Sequence, residues 1–107
     1  MRINCKITMP DADKLRERLK PAQRFVDSEI LRKAEPYVPM QTGSLKRSGT
    51  TGTKIGSGII RYTAPYAKKR YRIAKTNGKR GPYWIERMLA NHRAEIERGA
   101  QSILSEE

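Results

Sequence analysis

Thr50-Thr51-Gly52-Thr53-Lys54-Ile55-Gly56-Ser57-Gly58-Ile59-Ile60-Arg61-Tyr62-Thr63 is the stretch on which the reading of the fold turns. Two runs rich in β-branched residues flank Gly56-Ser57-Gly58, a composition that favours a tight turn between antiparallel strands. The wider segment 40–64 holds Gly43, Gly49, Gly52, Gly56 and Gly58, five of the eight glycines of the chain, so helix is not expected there. The expectation is a long β-hairpin with strands at 47–55 and 59–63. Its glycines would weaken the first strand and leave its edges open to a neighbouring chain.

On the N-terminal side, Ile3, Cys5, Ile7 and Met9 alternate with Arg2, Asn4, Lys6 and Thr8, the period of a half-buried strand over 2–9. Pro10 closes it, and Asp11 or Asp13 can cap a short helix carrying Leu15 and Leu19. Proline suits a first helical turn and not an interior, so that helix is expected to end near Lys20 and a second to begin at Pro21. The second runs to about Glu35 on a stripe of Ala22, Phe25, Val26, Ile30 and Ala34, with Leu31 beside it. Pro36 and Pro39 stop it, and Pro39 biases Val38 toward an extended conformation.

On the C-terminal side, Ala64-Pro65-Tyr66 breaks the chain. Residues 66–73 form a short helix or an extended segment, with Lys68, Lys69, Arg70 and Arg72 between Tyr66 and Tyr71. Asn77-Gly78-Lys79-Arg80-Gly81-Pro82 is a loop with two turn signals. The basic, Gly-rich stretch 42–82 is the part expected to be mobile. From Tyr83 to about Leu104, Ile85, Met88, Leu89, His92, Ile96, Ala100 and Ile103 recur at spacings of three and four, the longest helix of the chain. The fold class expected is α+β, one domain over 1–107. A small, mainly antiparallel sheet (2–9, 47–55 and 59–63) packs on two main helices, with a long β-hairpin and a long C-terminal helix.

The 107 residues include 23 Lys or Arg against 11 Asp or Glu, a net charge of +12. The excess is local: residues 36–85 carry eleven basic residues and no acidic one, whereas 86–107 carry three basic and five acidic. Such a block attracts polyanions, be they nucleic acid, anionic lipid or an acidic protein face. The length fits one domain of about 100–150 residues. A single cysteine excludes an intramolecular disulfide framework and a multi-cysteine zinc site. No apolar run approaches the roughly 18 residues of a membrane span, so no membrane partner is expected. The start Met-Arg-Ile-Asn-Cys-Lys has no leader-like apolar region, which suits a reducing cytoplasm.

Catalytic constellations are sparse. Cys5 lies on the apolar face of a strand, where burial favours the neutral thiol, and His92 lies on a helical apolar stripe. No metal-ligand spacing and no phosphate-loop pattern occurs, and no metal, cofactor or catalytic residue is expected. One enzyme class fits the composition: small basic ribosome-dependent messenger-RNA endonuclease toxins, for which Arg61, Tyr62, Lys69, Arg70 and Tyr71 supply phosphate- and base-contacting side chains. Another nucleic-acid-binding role is the related alternative.

Tyr37-Val38-Pro39-Met40-Gln41-Thr42-Gly43-Ser44-Leu45-Lys46-Arg47-Ser48-Gly49 places a helix end before a Thr-Gly-x-Leu-(basic)-x-Ser segment. Ala64-Pro65-Tyr66-Ala67, a basic and aromatic stretch, and the Trp84-Ile85-Glu86-Arg87-Met88 helix follow in order. Over about residues 20–102 this order resembles the minor capsid, or head–tail joining and tail-completion, proteins of tailed bacteriophages. The resemblance implies a non-enzymatic virion component assembled in the host cytoplasm. It implies an α+β subunit of a ring, whose partners are copies of itself and neighbouring neck or tail proteins. On that reading Thr42, Gly43 and Leu45 set the conformation entering an assembly hairpin. Lys68, Lys69, Arg70, Arg72, Lys79 and Arg80 make electrostatic contacts, either with acidic protein or non-specifically with DNA in the channel.

Overall fold

The computed structural model describes residues 1–7, 12–39 and 43–105, with backbone alone over 12–18. Its elements are β1 (Arg2–Asn4), α1 (Ala12–Ala34), a 3-10 turn (Glu35–Tyr37), α2 (Ser44–Gly52), β2 (Ile59–Arg61), α3 (Ala67–Ile73) and α4 (Trp84–Leu104). This is an α+β architecture in which a two-stranded antiparallel sheet accompanies a long helix pair, with overall extents of 45 × 24 × 19 Å.

The centre is α1 against α4. Val26, Ile30 and Ala34 of α1 are buried with Ile85, Met88, Ile96 and Ala100 of α4, the spacing expected of two apolar stripes meeting. Phe25 lies over Gly99, where an added Cβ would run into the ring. The α4 boundaries agree with the sequence pattern. Val38 is extended (φ −73°, ψ 132°), as its place before Pro39 requires.

Three sequence expectations are corrected. First, 12–34 is one helix with Pro21 inside it, where two helices were expected. An interior proline removes one hydrogen bond and costs about 3 kcal/mol. Pro21 is exposed, and the buried stripe from Ala22 to Ala34 carries the helix through.

Second, residues 47–55 are not a strand. Most of them belong to α2, and there is no hairpin: β2 pairs with β1, in the register Arg2↔Arg61, Ile3↔Ile60 and Asn4↔Ile59. The reason is a stripe of small residues. Leu45, Ser48 and Gly49 are buried at helical spacing, and Gly49 lets α2 approach the ring of Tyr62 so closely that a Cβ has no room. Hydroxyls then bond back along the helix, Ser48 Oγ to Leu45 O at 2.8 Å and Thr51 Oγ1 to Arg47 O at 3.0 Å.

Third, the strand expected at 2–9 shrinks to Arg2–Asn4. Gln23 takes over beyond it, accepting from Ile7 N at 2.7 Å and donating to Cys5 O at 3.0 Å. Thr8, Met9 and the expected Asp11 cap lie outside the described residues.

Within the stretch 42–82, the loop after α3 is hydrogen-bonded to itself and to the chain before it. Asn77 and Arg80 bridge through two backbone hydrogen bonds, 2.7 and 3.1 Å, with Gly78 at φ 64° between them. Gly81 N donates to Tyr37 O at 3.1 Å. No helix of the described residues is long and apolar enough to cross a membrane.

Candidate functional site

Polar groups in this molecule divide into a buried knot and two exposed surfaces. The knot centres on Asp27, which has no solvent exposure. Its Oδ2 accepts from Gly56 N (2.7 Å) and Gly58 N (3.0 Å); its Oδ1 accepts from Gln23 Nε2 (2.8 Å) and Cys5 Sγ (3.1 Å). One carboxylate thus joins α1, the chain leaving β1 and the turn before β2. Gly58, at φ 76°, has no room for a Cβ beside Lys6. Burial, the Asp27 hydrogen bond and the Asp27 charge push the Cys5 thiol up to about 12, so Cys5 is a neutral donor and not a nucleophile. The knot is spent on folding.

The first exposed surface belongs to α3 and the loop leaving it. Lys68, Lys69, Arg72, Lys75 and Lys79 are all solvent-exposed, and none has a carboxylate partner among the described residues. Most of the described carboxylates are committed elsewhere, Glu86 alone lying by Tyr71 of α3 without an ion pair among the described residues. Glu29 pairs with Arg32 and Lys33, Glu35 with Lys46, Glu95 with Lys33 and His92, and Glu97 with Arg93. The Lys33 ammonium, 2.7 Å away, holds the Glu95 carboxyl below its ordinary range. Among the cations stand exposed apolar groups: Ile73 is 64% exposed, Tyr83 43% and Tyr66 40%. Behind them an aromatic stack backs α3, with Tyr71 edge-on to Trp84 (4.6 Å) and to Tyr83 (5.5 Å), and Tyr62 edge-on to Trp84 (5.4 Å). Tyr83 sits at positive φ (53°) and is held there by its N–H donating to Tyr71 O at 2.8 Å.

The second surface is the outer edge of β1. In this register Met1, Ile3 and Cys5 face β2 with their backbone hydrogen bonds, as Tyr62 N to Met1 O (3.0 Å) and Cys5 N to Gly58 O (2.6 Å) show. The N–H and C=O groups of Arg2 and Asn4 therefore point away from β2 and have no backbone partner among the described residues, while the next outward N–H, that of Lys6, donates to Asn4 Oδ1 at 3.0 Å. The outer edge of β2 is closed by contrast: Arg61 N donates to Thr53 Oγ1 at 2.9 Å and Ile59 N to Ser57 Oγ at 3.3 Å. Beside β1 runs a cleft of about 580 Å³ lined by Ile3, Ile7, Val26, Ile30, Leu89, Ile96 and Leu104, with Arg93 and Glu97 on its α4 side.

The sequence-derived site residues separate accordingly. Thr42 lies outside the described residues. Gly43 (φ 77°) and buried Leu45 open α2, so they shape a helix start and not a hairpin. Lys68, Lys69, Arg72 and Lys79 are on the basic face, together with Lys75, which the sequence reading passed over. Arg70 is half-buried and lines, with Arg80, Lys75 and Asn77, a cleft of about 400 Å³. Arg80 is a clamp: its Nη1 donates to Glu35 O at 2.9 Å and Val38 O at 2.8 Å, capping carbonyls at the end of the first helical arm. Of the five side chains considered for a nuclease, Tyr62 is 2% exposed under α2 and Tyr71 is half-buried in the aromatic stack. Burial pushes the Tyr62 hydroxyl up to about 12. His92 meets Tyr37, ring to ring at 6.1 Å, which fits a packing role.

Compared with known proteins, the chain matches no family model, no curated protein and no solved structure.

Proposed function

We propose that this chain is a non-enzymatic structural subunit of the head–tail joining or tail-completion region of a tailed-phage virion, built head to tail into a ring. One observation carries the reading: a β1 edge that the described residues leave open at Arg2 and Asn4, beside an apolar cleft, while the other sheet edge is closed by side chains of the same molecule. Such an edge recruits a strand from a neighbour by backbone hydrogen bonding, and the cleft receives that strand's apolar side chains.

Charge selects the kind of contact. A two-fold pairing of β1 with β1 of a second copy centred on Asn4 sets Arg2 opposite Lys6 twice, a like-charge opposition that destabilises a strand pair, and one centred on Ile3 sets Arg2 opposite Asn4 and joins only the three residues of each β1. A heterologous contact, in which β1 meets a different surface of the next subunit, avoids this and generates a ring when the rotation closes. The Thr-Gly-x-Leu-(basic)-x-Ser order of the sequence supports the phage assignment. The burial of Tyr62 counts against the nuclease alternative, since it removes one of the phosphate- and base-contacting candidates from reach.

The test is genetic. Deleting the gene from the phage genome that carries it is expected to leave filled heads and finished tails that fail to join, with infectivity restored by the chain supplied in trans. Normal infectious particles without the chain would refute the proposal. Growth arrest and ribosome-associated messenger-RNA cleavage on expression in a host would favour the nuclease.

A further inference from the structure

The proposed ring contact uses the β1 edge and leaves the basic face of α3 without a role. We infer that this face is a sequence-independent binding surface for the phosphate backbone of duplex nucleic acid. The inference goes beyond the assembly proposal and holds whether or not the chain forms a ring.

Three observations converge on it. Lys68, Lys69 and Arg72 lie on α3 and Lys75 and Lys79 on the loop that leaves it, all exposed and all without a carboxylate partner among the described residues. The same chain pairs four of its carboxylates with cations elsewhere. Other exposed cations such as Lys20, Lys54 and Arg98 also lack such a partner among the described residues, but they are scattered over the chain, whereas these five fall within twelve consecutive residues. Sequence supports the same division, for no acidic residue occurs between Glu35 and Glu86. Five like charges held close together repel one another, and a polyanion relieves that repulsion while releasing its own condensed counterions.

Nucleic acid fits better than an acidic protein face for two reasons. A protein partner is usually held by a dry apolar centre depleted of charge, whereas here the exposed Ile73, Tyr66 and Tyr83 stand among cations. The face is also rigid. Tyr71, Trp84 and Tyr83 stack beneath α3, and the Asn77–Arg80 bridge with the Arg80 clamp holds the loop, so the backbone that carries the cations needs no ordering on binding. Contacts from lysine and arginine to phosphate carry no sequence information, which makes the expected binding indifferent to sequence.

The experiment uses the full chain and a fluorescent mixed-sequence DNA duplex, with anisotropy followed across a salt series. Five phosphate contacts give a log–log slope of affinity on salt of about −4.5, which is roughly a 500-fold loss between about 50 and about 200 mM salt. A Lys68→Gln, Lys69→Gln, Arg72→Gln variant should flatten the slope to about −2. A Lys20→Gln, Arg98→Gln variant, which removes exposed cations from α1 and α4, should keep the original slope. Circular dichroism melts check that both variants fold. Two duplexes of unrelated sequence should bind equally. Absence of binding at about 50 mM salt, a salt-independent affinity, or equal losses in both variants would overturn the inference. So would tighter binding of poly-glutamate than of the duplex at equal charge concentration, which would make the partner an acidic protein.

Discussion

Asp27 and the face of α3 are the two places where this chain concentrates charge, and they are treated in opposite ways. At Asp27 a single carboxylate is taken wholly out of water and given four donors, two of them backbone N–H groups of the 56–58 turn. On α3 and the loop after it five cations are left in water with no carboxylate partner among the described residues. A buried ion without partners costs several kcal/mol, so the first site exists only because its hydrogen bonds are complete. An exposed cation costs almost nothing to the fold, so the second site carries charge the fold does not need. Polar residues that hold the molecule together can thus be told from polar residues available for a partner.

Substitutions can break this contrast, and the largest effect is expected at the knot. Asp27→Ala strands four donors and should lower stability by about 3–5 kcal/mol in chemical denaturation. A loss under about 1 kcal/mol would mean that the turn at 56–58 is held by something else. Next comes Gly49→Ala, which drives a methyl into the Tyr62 ring and should cost about 2–3 kcal/mol by forcing α2 off β2. A neutral result there would undo the account of why 44–52 is helical.

Alkaline pH sharpens the contrast without mutation. The Cys5 thiol stands at about 12 in the folded chain against an ordinary 9.0, because burial and Asp27 both favour its proton. Below pH 9 the folded and unfolded chains both keep that proton and stability is at its full value. Between pH 9 and about 12 only the unfolded thiol ionises readily, so stability falls as pH rises. Tyr62, raised from 10.0 to about 12 by burial, adds to the fall from pH 10 upward. Urea titrations at stepped pH should show the decline beginning near pH 9 in the parent and near pH 10 in Cys5→Ser, which keeps a donor for Asp27. Identical profiles would contradict the buried, hydrogen-bonded thiol.

Smaller effects follow. Arg80→Gln leaves the carbonyls of half-buried Glu35 and buried Val38 without this donor and should cost about 1–2 kcal/mol. If the melting temperature is unchanged, Arg80 belongs with the exposed cations and not with the fold. The smallest change is expected for the Lys68, Lys69, Arg72 glutamine triple, within about 0.5 kcal/mol of the parent and, at low salt, on the stabilised side because self-repulsion is relieved. A loss of several kcal/mol would show that α3 needs its charges to fold.

Much of this was legible from residue patterns. The α4 stripe, the break at Val38-Pro39, the Asn77-Gly78 turn, the strand at 59–61 and the basic block all follow from period, proline and turn chemistry. What the patterns hid has a common cause: the same residue serves two physical ends. Glycine breaks helices, but Gly49 is also the only residue that lets a helix lie against a tyrosine ring. Serine and threonine favour strands and turns, yet Ser48 and Thr51 bond back to their own helix. Tertiary contact decides between such roles. Asp27 did leave a trace. It falls on the buried stripe of α1 with Gln23, Ile30 and Ala34, where a carboxylate is out of place unless it is hydrogen-bonded. Arg80 left none, since its carbonyl partners are more than forty residues away in sequence.

The central claim is that one chain offers an open strand edge to a neighbouring subunit and a basic face to a polyanion. Electron cryo-microscopy of the virion neck tests it most directly. The account predicts a ring of this chain between head and tail, with the β1 edge of each subunit against the next and α3 facing the path of the nucleic acid. A neck that lacks this chain, or a ring in which β1 lies in solvent and α3 is turned outward, would contradict it.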